Sequence, residues 1–357
     1  MTRDAGNKAA RPFHEFFAGS GLVSVGLAPA FKASWANDVS KRKARVYRAN
    51  LDGEALHLGD VSEVDGASLP DAVLSWASFP CQDLSLAGNI GGIHSARSGL
   101  VWQWLRILDE LGERAPKVIC LENVIGLVSS KGGNDYRLLH AALVNRGYRV
   151  GAVVINADRF VPQSRPRVFV MGTKGKVPEH LISDGPTWAH SPALARLGET
   201  IEGFTWWNLP EPEARTTEID DVIEQVEYDK DNVTALVPQR HIEKFRLSGR
   251  KFATGYRRTR NGKQVLELRC DGIAGCLRTP AGGSSRQYIV QREGKRLHAR
   301  LLTAREAARL MGAPDDFELP GTYNDAYFAM GDAVVAPVVH FLSENALREL
   351  VDYAYVA

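Results

Sequence analysis

Between Pro12 and Gly172 short apolar runs alternate with stretches of helical period, and this alternation limits the fold more than any other feature of the chain. Apolar runs of strand length bounded by turn residues suit strands buried on both faces, and helices between such strands form parallel crossovers. Candidate strands are Pro12–Phe17, Phe31–Asn37, Ala72–Ala77, Val118–Leu121, Arg149–Ile155 and Arg167–Met171, with a further short strand ahead of Asp60. Helical stretches sit between them, among them Leu100–Leu111 and Asp135–Asn145, the latter closed by Gly147. The expected class is α/β with a mostly parallel sheet. After Gly172 the periodicity fades, through Trp188, Trp206 and Trp207 to about Arg296, and this stretch reads as a second, loop-rich domain with short strands. The three tryptophans read as core or domain-interface residues. Helical character returns at Leu302–Met311, where Thr303 and Glu306 have capping-box spacing and Gly312 follows the last turn. The expected division is 1–174, 175–296, and a segment 297–357 that returns to the first domain.

The chain has 357 residues, 44% hydrophobic and 24% charged, which is enough for two modest domains and excludes wholesale disorder, collagen or coiled coil. No apolar run is expected to reach the roughly 18 to 20 residues that a membrane-crossing helix needs. The opening MTRDAGNKAARPF lacks the apolar stretch of a secretory signal. The cysteines Cys81, Cys120, Cys270 and Cys276 are too few for a disulfide scaffold and match no zinc spacing, so no metal site is expected. A reduced, soluble, cytoplasmic protein is expected. Net charge is only +2, but its distribution is uneven. Residues 211–231 carry nine acids against two bases, and residues 239–269 carry ten Lys and Arg against two Glu. The basic block reads as a nucleic-acid surface or as a solvated face; charge alone does not separate the two.

Four segments carry candidate chemistry, each at a strand end. In FFAGSGL (residues 16–22) Gly19 and Gly21 let the backbone approach a ligand, and Asp38 ends the next strand where an acid can hold ribose hydroxyls. Leu22 follows Gly21 directly, so the third glycine of the dinucleotide pattern is missing. By itself Gly-x-Gly is either a cofactor loop or a tight turn, and Asp60 either accepts from an adenine amino group or caps a turn. In SFPCQDLSLAG (78–88) Cys81 follows Pro80 and opens a loop, 82–99, with Gly88, Gly91, Gly92 and Gly99; the thiol is either a nucleophile or structural. In KVICLENVIGL (117–127) a strand ends at Glu122, a carboxyl whose burial would raise its pKa and let it carry a proton. In VPQSRPRVFV (161–170) Arg165 and Arg167 offer fixed donors to an oxygen.

Taken in order, the glycine turn, Pro-Cys-Gln, Glu-Asn-Val and Gln-x-Arg-x-Arg resemble the cytosine carbon-5 DNA methyltransferases. RLLTAREAARLMGAPDDF (300–317) is similar to that family's helical segment after target recognition, and GDAVVAPVV (331–339) to its final motif. The resemblance implies a Rossmann-like methyltransferase domain with a smaller target-recognition domain, S-adenosyl-L-methionine as cofactor, and double-stranded DNA as substrate. It implies a DNA (cytosine-5-)-methyltransferase in which Cys81 attacks carbon-6 of a flipped cytosine and Glu122 protonates or hydrogen-bonds ring N3. Arg167, assisted by Arg165, would hold the carbonyl oxygen, and Asn123 would brace the Pro80–Cys81 turn. Cofactor-site positions would be Phe17, Gly19, Gly21, Asp38, Val39, Asp60, Leu100 and Asp332, with Val39 in place of a bulkier side chain on adenine. Gln82, Ser85 and Arg97 would close over the base. Arg257, Arg258, Arg260, Arg278, Ser284, Ser285 and Arg286 are DNA-contact candidates.

Three departures stand out. Glu15 replaces the family's usual aspartate and is expected to keep its charge. Asp332 stands where Asn is commonest. Cys276, in GIAGCLRTPAGGSSRQ (272–287), replaces the usual Thr, and Cys270 and Cys276 read as packing residues. A monomer is the default for an enzyme acting on an asymmetric strand, working at the nucleoid and at no membrane; a cognate restriction endonuclease is a candidate partner, and the sequence does not separate that case from an enzyme without one. The alternatives are the same chemistry on tRNA, a catalytically silent DNA-binding regulator, and, for the bare α/β domain, a nicotinamide dehydrogenase.

Overall fold

The computed structural model describes residues 9–80, 99–228, 232–279 and 286–355. Its centre is a seven-stranded sheet in the order β3-β2-β1-β4-β5-β7-β6. The strands are β1 (Arg11–Phe16), β2 (Phe31–Asp38), β3 (Leu56–Leu58), β4 (Leu74–Ala77), β5 (Val118–Val124), β6 (Arg149–Asn156) and β7 (Pro166–Thr173). Pairings from β3 through β5 are parallel, whereas β7 lies antiparallel to both β5 and β6. A smaller antiparallel sheet, β11-β10-β8-β9, comprises β8 (Phe252–Arg260), β9 (Lys263–Arg269), β10 (Gln287–Glu293) and β11 (Arg296–Leu301). The helices are α1 (Leu22–Leu27), α2 (Lys41–Asn50), α3 (Leu100–Leu111), α4 (Gly126–Ser129), α5 (Asn134–Val144) and α6 (Pro192–Gly198). They continue as α7 (Ile219–Val222), α8 (Gln239–Leu247), α9 (Ala304–Leu310), α10 (Tyr323–Gly331), α11 (Ala336–Leu342) and α12 (Arg348–Tyr355).

The strands are apolar throughout because both faces of the large sheet are covered. Alternate residues face opposite sides: Trp76, Cys120, Phe169 and Met171 enter the core under α1 and α9–α12. Ala77, Ile119, Leu121, Val168 and Val170 enter the other, under α3 and α5. Helix α3 covers that second face with Val101, Trp104, Leu105, Leu108 and Leu111, an i, i+3, i+4, i+7 stripe, and the Trp104 indole donates to Ser75 Oγ at 2.9 Å. Helix α5 ends at Gly147 (φ 83°), with Tyr148 N–H bonded to the Leu143 carbonyl and Gly147 N–H to that of Val144. This Schellman closure is what the glycine spacing leads one to expect.

Two differences from the expected strands matter for the site. β5 continues past Leu121 to Val124, because β7 offers Glu122, Asn123 and Val124 an antiparallel partner at Phe169, Val168 and Arg167. β1 has β2 on one side and β4 on the other, so the chain reverses its winding between β1 and β4. Such a switch point leaves a crevice at the carboxyl ends of the strands.

The stretch 175–296 divides by packing. Its first part wraps the large sheet, with Leu181, Ala189, Trp207, Leu209 and Ile219 in one core and Leu194, Leu197 and Phe204 in the other. Trp207 is fully buried there. The small sheet has a core of its own, from Val233, Val237, Phe245, Leu266, Val290, Leu297 and Ala299, and β11 carries it past Arg296 to Leu301. The helical stretch Tyr323–Tyr355 corrects one expectation, being long and apolar enough to cross a membrane by length and composition. Most of its apolar window is instead buried in the protein, where Tyr327, Met330, Val338, Val339, Leu342, Leu347 and Leu350 form the core under α1.

Helix α9 starts with the expected capping box, Thr303 accepting from Glu306 N–H and Glu306 accepting from Thr303 N–H. Glu306 is fully buried and also takes two bonds from Arg300, at 2.8 and 2.6 Å. Thr303→Ala should therefore cost about 1 kcal/mol in urea unfolding. Glu306→Ala, which strands a buried guanidinium, should cost about 3–5 kcal/mol.

Candidate active site and cofactor turn

β1 leads into α1 through Phe17 (φ 58°), Gly19 (φ 58°) and Gly21 (φ 85°). Phe17 is one of three non-glycine residues with positive φ among the described residues, a strain of about 1–3 kcal/mol that proteins retain mainly where a ligand is held. A Cβ on Gly21 would lie 2.2 Å from Leu51 Cδ1 and 2.9 Å from Tyr47 Cδ2, so α2 closes one side of the turn and only glycine fits. Asp38 shapes the other side: its Oδ2 accepts from Gly19 N–H at 2.9 Å and its Oδ1 from Ser40 N–H at 2.7 Å. Val39, next along, is 70% exposed. Asp60 accepts from Ser62 N–H at 2.8 Å, which lowers its pKa and makes it the cap of the following turn. Leu100 opens α3, and Asp332 caps α10. A carboxylate at the end of β2, an apolar face beside it and a turn with no room for a side chain suit a nucleoside bearing an extended polar tail.

Glu15 does not keep its charge. Burial pushes its pKa up to about 8, Ser24 Oγ–H donates to it, and its second oxygen has no partner among the described residues.

The second group lies at the ends of β4 and β5 and the start of β7. Val124 stands opposite Arg167 in the β5–β7 register, so Glu122 and Arg167 are diagonal neighbours on one face. Arg167 Nε lies 2.9 Å from Glu122 Oε1, and both groups are nearly inaccessible. Burial raises the Glu122 pKa against the opposing charges of Arg167 and Arg165. Asn123 Nδ2 donates to the Phe79 carbonyl at 2.9 Å, tying β5 to the backbone just before Pro80. Arg165 is 1% exposed and donates to the carbonyls of Leu277 (2.7 Å), Gly331 (3.1 Å) and Ala333 (2.8 Å). The residues Cys81, Gln82, Ser85, Arg97, Ser284 and Ser285 lie outside the described residues.

Backbone groups of residues 275–277 are held by side chains from several parts of the fold. Gln287 bonds both the N–H and the carbonyl of Gly275, at 2.9 and 2.7 Å. Tyr256 O–H donates to the Cys276 carbonyl at 2.8 Å, and Leu277 N–H donates to Gln163 Oε1 at 2.9 Å. Gln163 Nε2 reaches on to the Leu310 carbonyl at 2.7 Å. So held, Cys276 is not a packing residue: its sulfur lies 3.3 Å from Arg165 Nη1 and 3.9 Å from Arg167 Nη2. Cys270, by contrast, is half-buried against the small-sheet core. Gln163, Gln287 and Tyr256 were not singled out by sequence. Gln163 was visible as the first residue of Gln-x-Arg-x-Arg, while nothing local marks the other two.

Of the basic candidates, Arg257, Arg258 and Arg260 lie toward the tip of the β8–β9 hairpin. Arg257 lies over Tyr288, Arg258 over Tyr256, and Arg260 pairs with Glu267 at 2.8 Å. Arg278 is exposed directly after the clamped segment. Arg286 is turned inward, bonded to Asn324 Oδ1 at 2.7 Å and lying over Tyr323. Among the described residues no cluster of three or more metal-ligating side chains occurs.

An open α/β sheet with a glycine turn at its switch point and a buried carboxyl–guanidinium pair at the neighbouring strand ends defines a cofactor-binding enzyme fold. Residues 12–348 match the C-5 cytosine-specific DNA methylase family, and the chain belongs to that family. It is 27% identical over 350 residues to the Type II methyltransferase M.Bsp6I of Bacillus sp., covering 94% of this chain and 98% of that one. To M.HhaI of Haemophilus parahaemolyticus it is 26% identical over 345 residues, covering 93% of each. Among solved structures it resembles the S. pombe Dnmt2 methyltransferase (TM-score 0.58, 22% identity, 93% and 97% coverage) and Entamoeba histolytica EhMeth (TM-score 0.61, 18% identity, 96% and 98% coverage). The cofactor of this family is S-adenosylmethionine, and the residues of the turn fit it.

Because Glu15 holds its proton up to about pH 8 when folded but only to about 4.5 when unfolded, the folded protein binds the extra proton between those values. Stability should fall as pH rises through that window. Glu15→Gln should abolish this component, so its melting temperature relative to the parent should rise between pH 5 and pH 8.5.

Proposed function

We propose that this protein methylates carbon-5 of cytosine in duplex DNA through a covalent adduct between Cys81 and carbon-6 of a base flipped out of the helix. The observation that carries the reading is the group Glu122–Arg167–Arg165 with Asn123 anchored to Phe79, two residues before Cys81. Cytosine carbon-5 is a weak nucleophile, and thiolate addition at carbon-6 converts the ring to an enamine that is a stronger one. Glu122, whose pKa burial raises, gives a proton or a hydrogen bond to ring N3 as sulfur attacks, so that negative charge does not build up on the ring. Arg167 orients the Glu122 carboxyl and directs its remaining donors at the base carbonyl. Arg165, locked to three backbone carbonyls, holds its neighbours in place. When bound, S-adenosylmethionine supplies the methyl group. Loss of the carbon-5 proton and expulsion of the thiol then restore the ring.

In the same reading Asp38 holds the ribose, Val39 lies against adenine, Asp60 accepts from the adenine amino group, and Phe17, Gly19, Gly21, Leu100 and Asp332 line the remainder. Arg257, Arg258, Arg260, Arg278 and Arg286, with Ser284 and Ser285, contact DNA, while Gln82, Ser85 and Arg97 enclose the flipped base. The named relatives are Type II methyltransferases, so an endonuclease reading the same site is the partner this function implies. The protein acts as a monomer, since its target strand is asymmetric.

The test is transfer of labelled methyl from S-adenosylmethionine to unmethylated DNA, with tRNA in parallel. Label should appear as 5-methylcytosine in DNA and vanish with Cys81→Ala; label in tRNA alone would reject the DNA reading. Glu122→Gln should lower kcat by about 10²- to 10⁴-fold. Since the protonated carboxyl is the active form, the parent should also show an alkaline fall in rate that the Gln variant lacks.

A further inference from the structure

Lys43 lies in the first turn of α2, and its side chain turns inward although lysine stems usually run out to solvent. Only 15% of that side chain is exposed. Its Cδ is the nearest atom, at 3.8 Å, to where a Cβ on Gly19 would stand, so the stem crosses the glycine turn. The ammonium ends 2.6 Å from Asp332 Oδ2, with the Phe328 ring centroid 5.5 Å away. An ammonium has three donors, and Asp332 takes one of them along a single direction.

We propose that Lys43, held in place by Asp332, binds the carboxylate of the amino-acid end of S-adenosylmethionine. The inference rests on reading the Phe17–Gly21 turn as the cofactor site. That end of the cofactor is a zwitterion, with an ammonium and a carboxylate on one carbon. A lone aspartate at position 332 would attract the ammonium and repel the carboxylate. The Lys43–Asp332 pair offers one opposite charge to each, and neither protein charge stays unpaired before the ligand arrives. The pair also accounts for the acid at position 332. Asp332 adds to the field that raises the Glu122 pKa, and an ammonium beside it offsets that charge.

Calorimetric titration of the full chain separates this from mere packing of α2 on α10. Three ligands share the nucleoside: S-adenosylhomocysteine with the whole zwitterion, decarboxylated S-adenosylmethionine with the ammonium alone, and 5′-methylthioadenosine with neither. Lys43→Met keeps the stem and the helix. It should weaken S-adenosylhomocysteine by about 10- to 100-fold, leave 5′-methylthioadenosine within about twofold, and leave the decarboxylated ligand unchanged or tighter. Lys43→Arg should restore most of the loss. Equal weakening of all three ligands, or no weakening of S-adenosylhomocysteine, would overturn the proposal. If the parent binds S-adenosylhomocysteine no better than 5′-methylthioadenosine, the proposal falls while the cofactor reading stands. If the parent binds none of the three, the reading of the turn fails first.

Discussion

The guanidinium of Arg165 joins parts of the chain that sequence keeps more than 100 residues apart. It is 1% exposed, and its partners are carbonyls of Leu277, Gly331 and Ala333 together with the sulfur of Cys276. A buried cation is tolerated only where oxygen acceptors replace water, and the planar fork of arginine can meet several at fixed angles. Through it the loop before β7, the segment leading out of the small sheet and the end of α10 share one anchor. Gln163 reinforces this by bridging Leu277 to Leu310, and Gly331 leaves no space for a Cβ, which would lie 2.6 Å from Arg278 C.

The same arginine helps set the chemistry of Glu122. Burial favours the neutral carboxyl, and two guanidiniums favour the charged one. Burial is the larger effect and the net shift is upward, while Arg167 fixes the direction of the carboxyl at 2.9 Å. Asp332 adds to the upward shift, and its pairing with Lys43 ties the electrostatics of the carboxyl to the cofactor turn. Glu15 gives a contrasting case: burial, with a smaller contribution from the Asp38 charge, takes it to about 8 against the hydrogen bonds from Ser24.

The large sheet was legible because strands buried on both faces are written as apolar runs, and α3 and the α9 capping box because helix periodicity and caps are local. Glu122, Arg165 and Arg167 were legible as motif residues at strand ends. The pairing of Glu122 with Arg167 was not, since it depends on the antiparallel insertion of β7, which no local pattern announces. The packing of residues 175–223 was not legible for a related reason: they have loop-like composition, yet Trp207 and Leu194 find their burial on the large sheet. Cys276 looked like packing because its surroundings come from Arg165 and Arg167, 111 and 109 residues earlier. Lys43 carried no signal in a helix already rich in bases; only the fold brings Asp332 to it.

The proposed mechanism needs a covalent bond from one particular thiol, and the clamped Cys276 beside the same arginines makes the choice of thiol a real question. A DNA duplex carrying 5-fluorocytosine at the target, incubated with S-adenosylmethionine, measures it directly, because fluorine cannot leave as the carbon-5 proton does. A stable protein–DNA adduct is expected whose peptide, by mass spectrometry, bears the modified base on Cys81. No adduct on a duplex that competes for binding, or an adduct on Cys276, would contradict that mechanism.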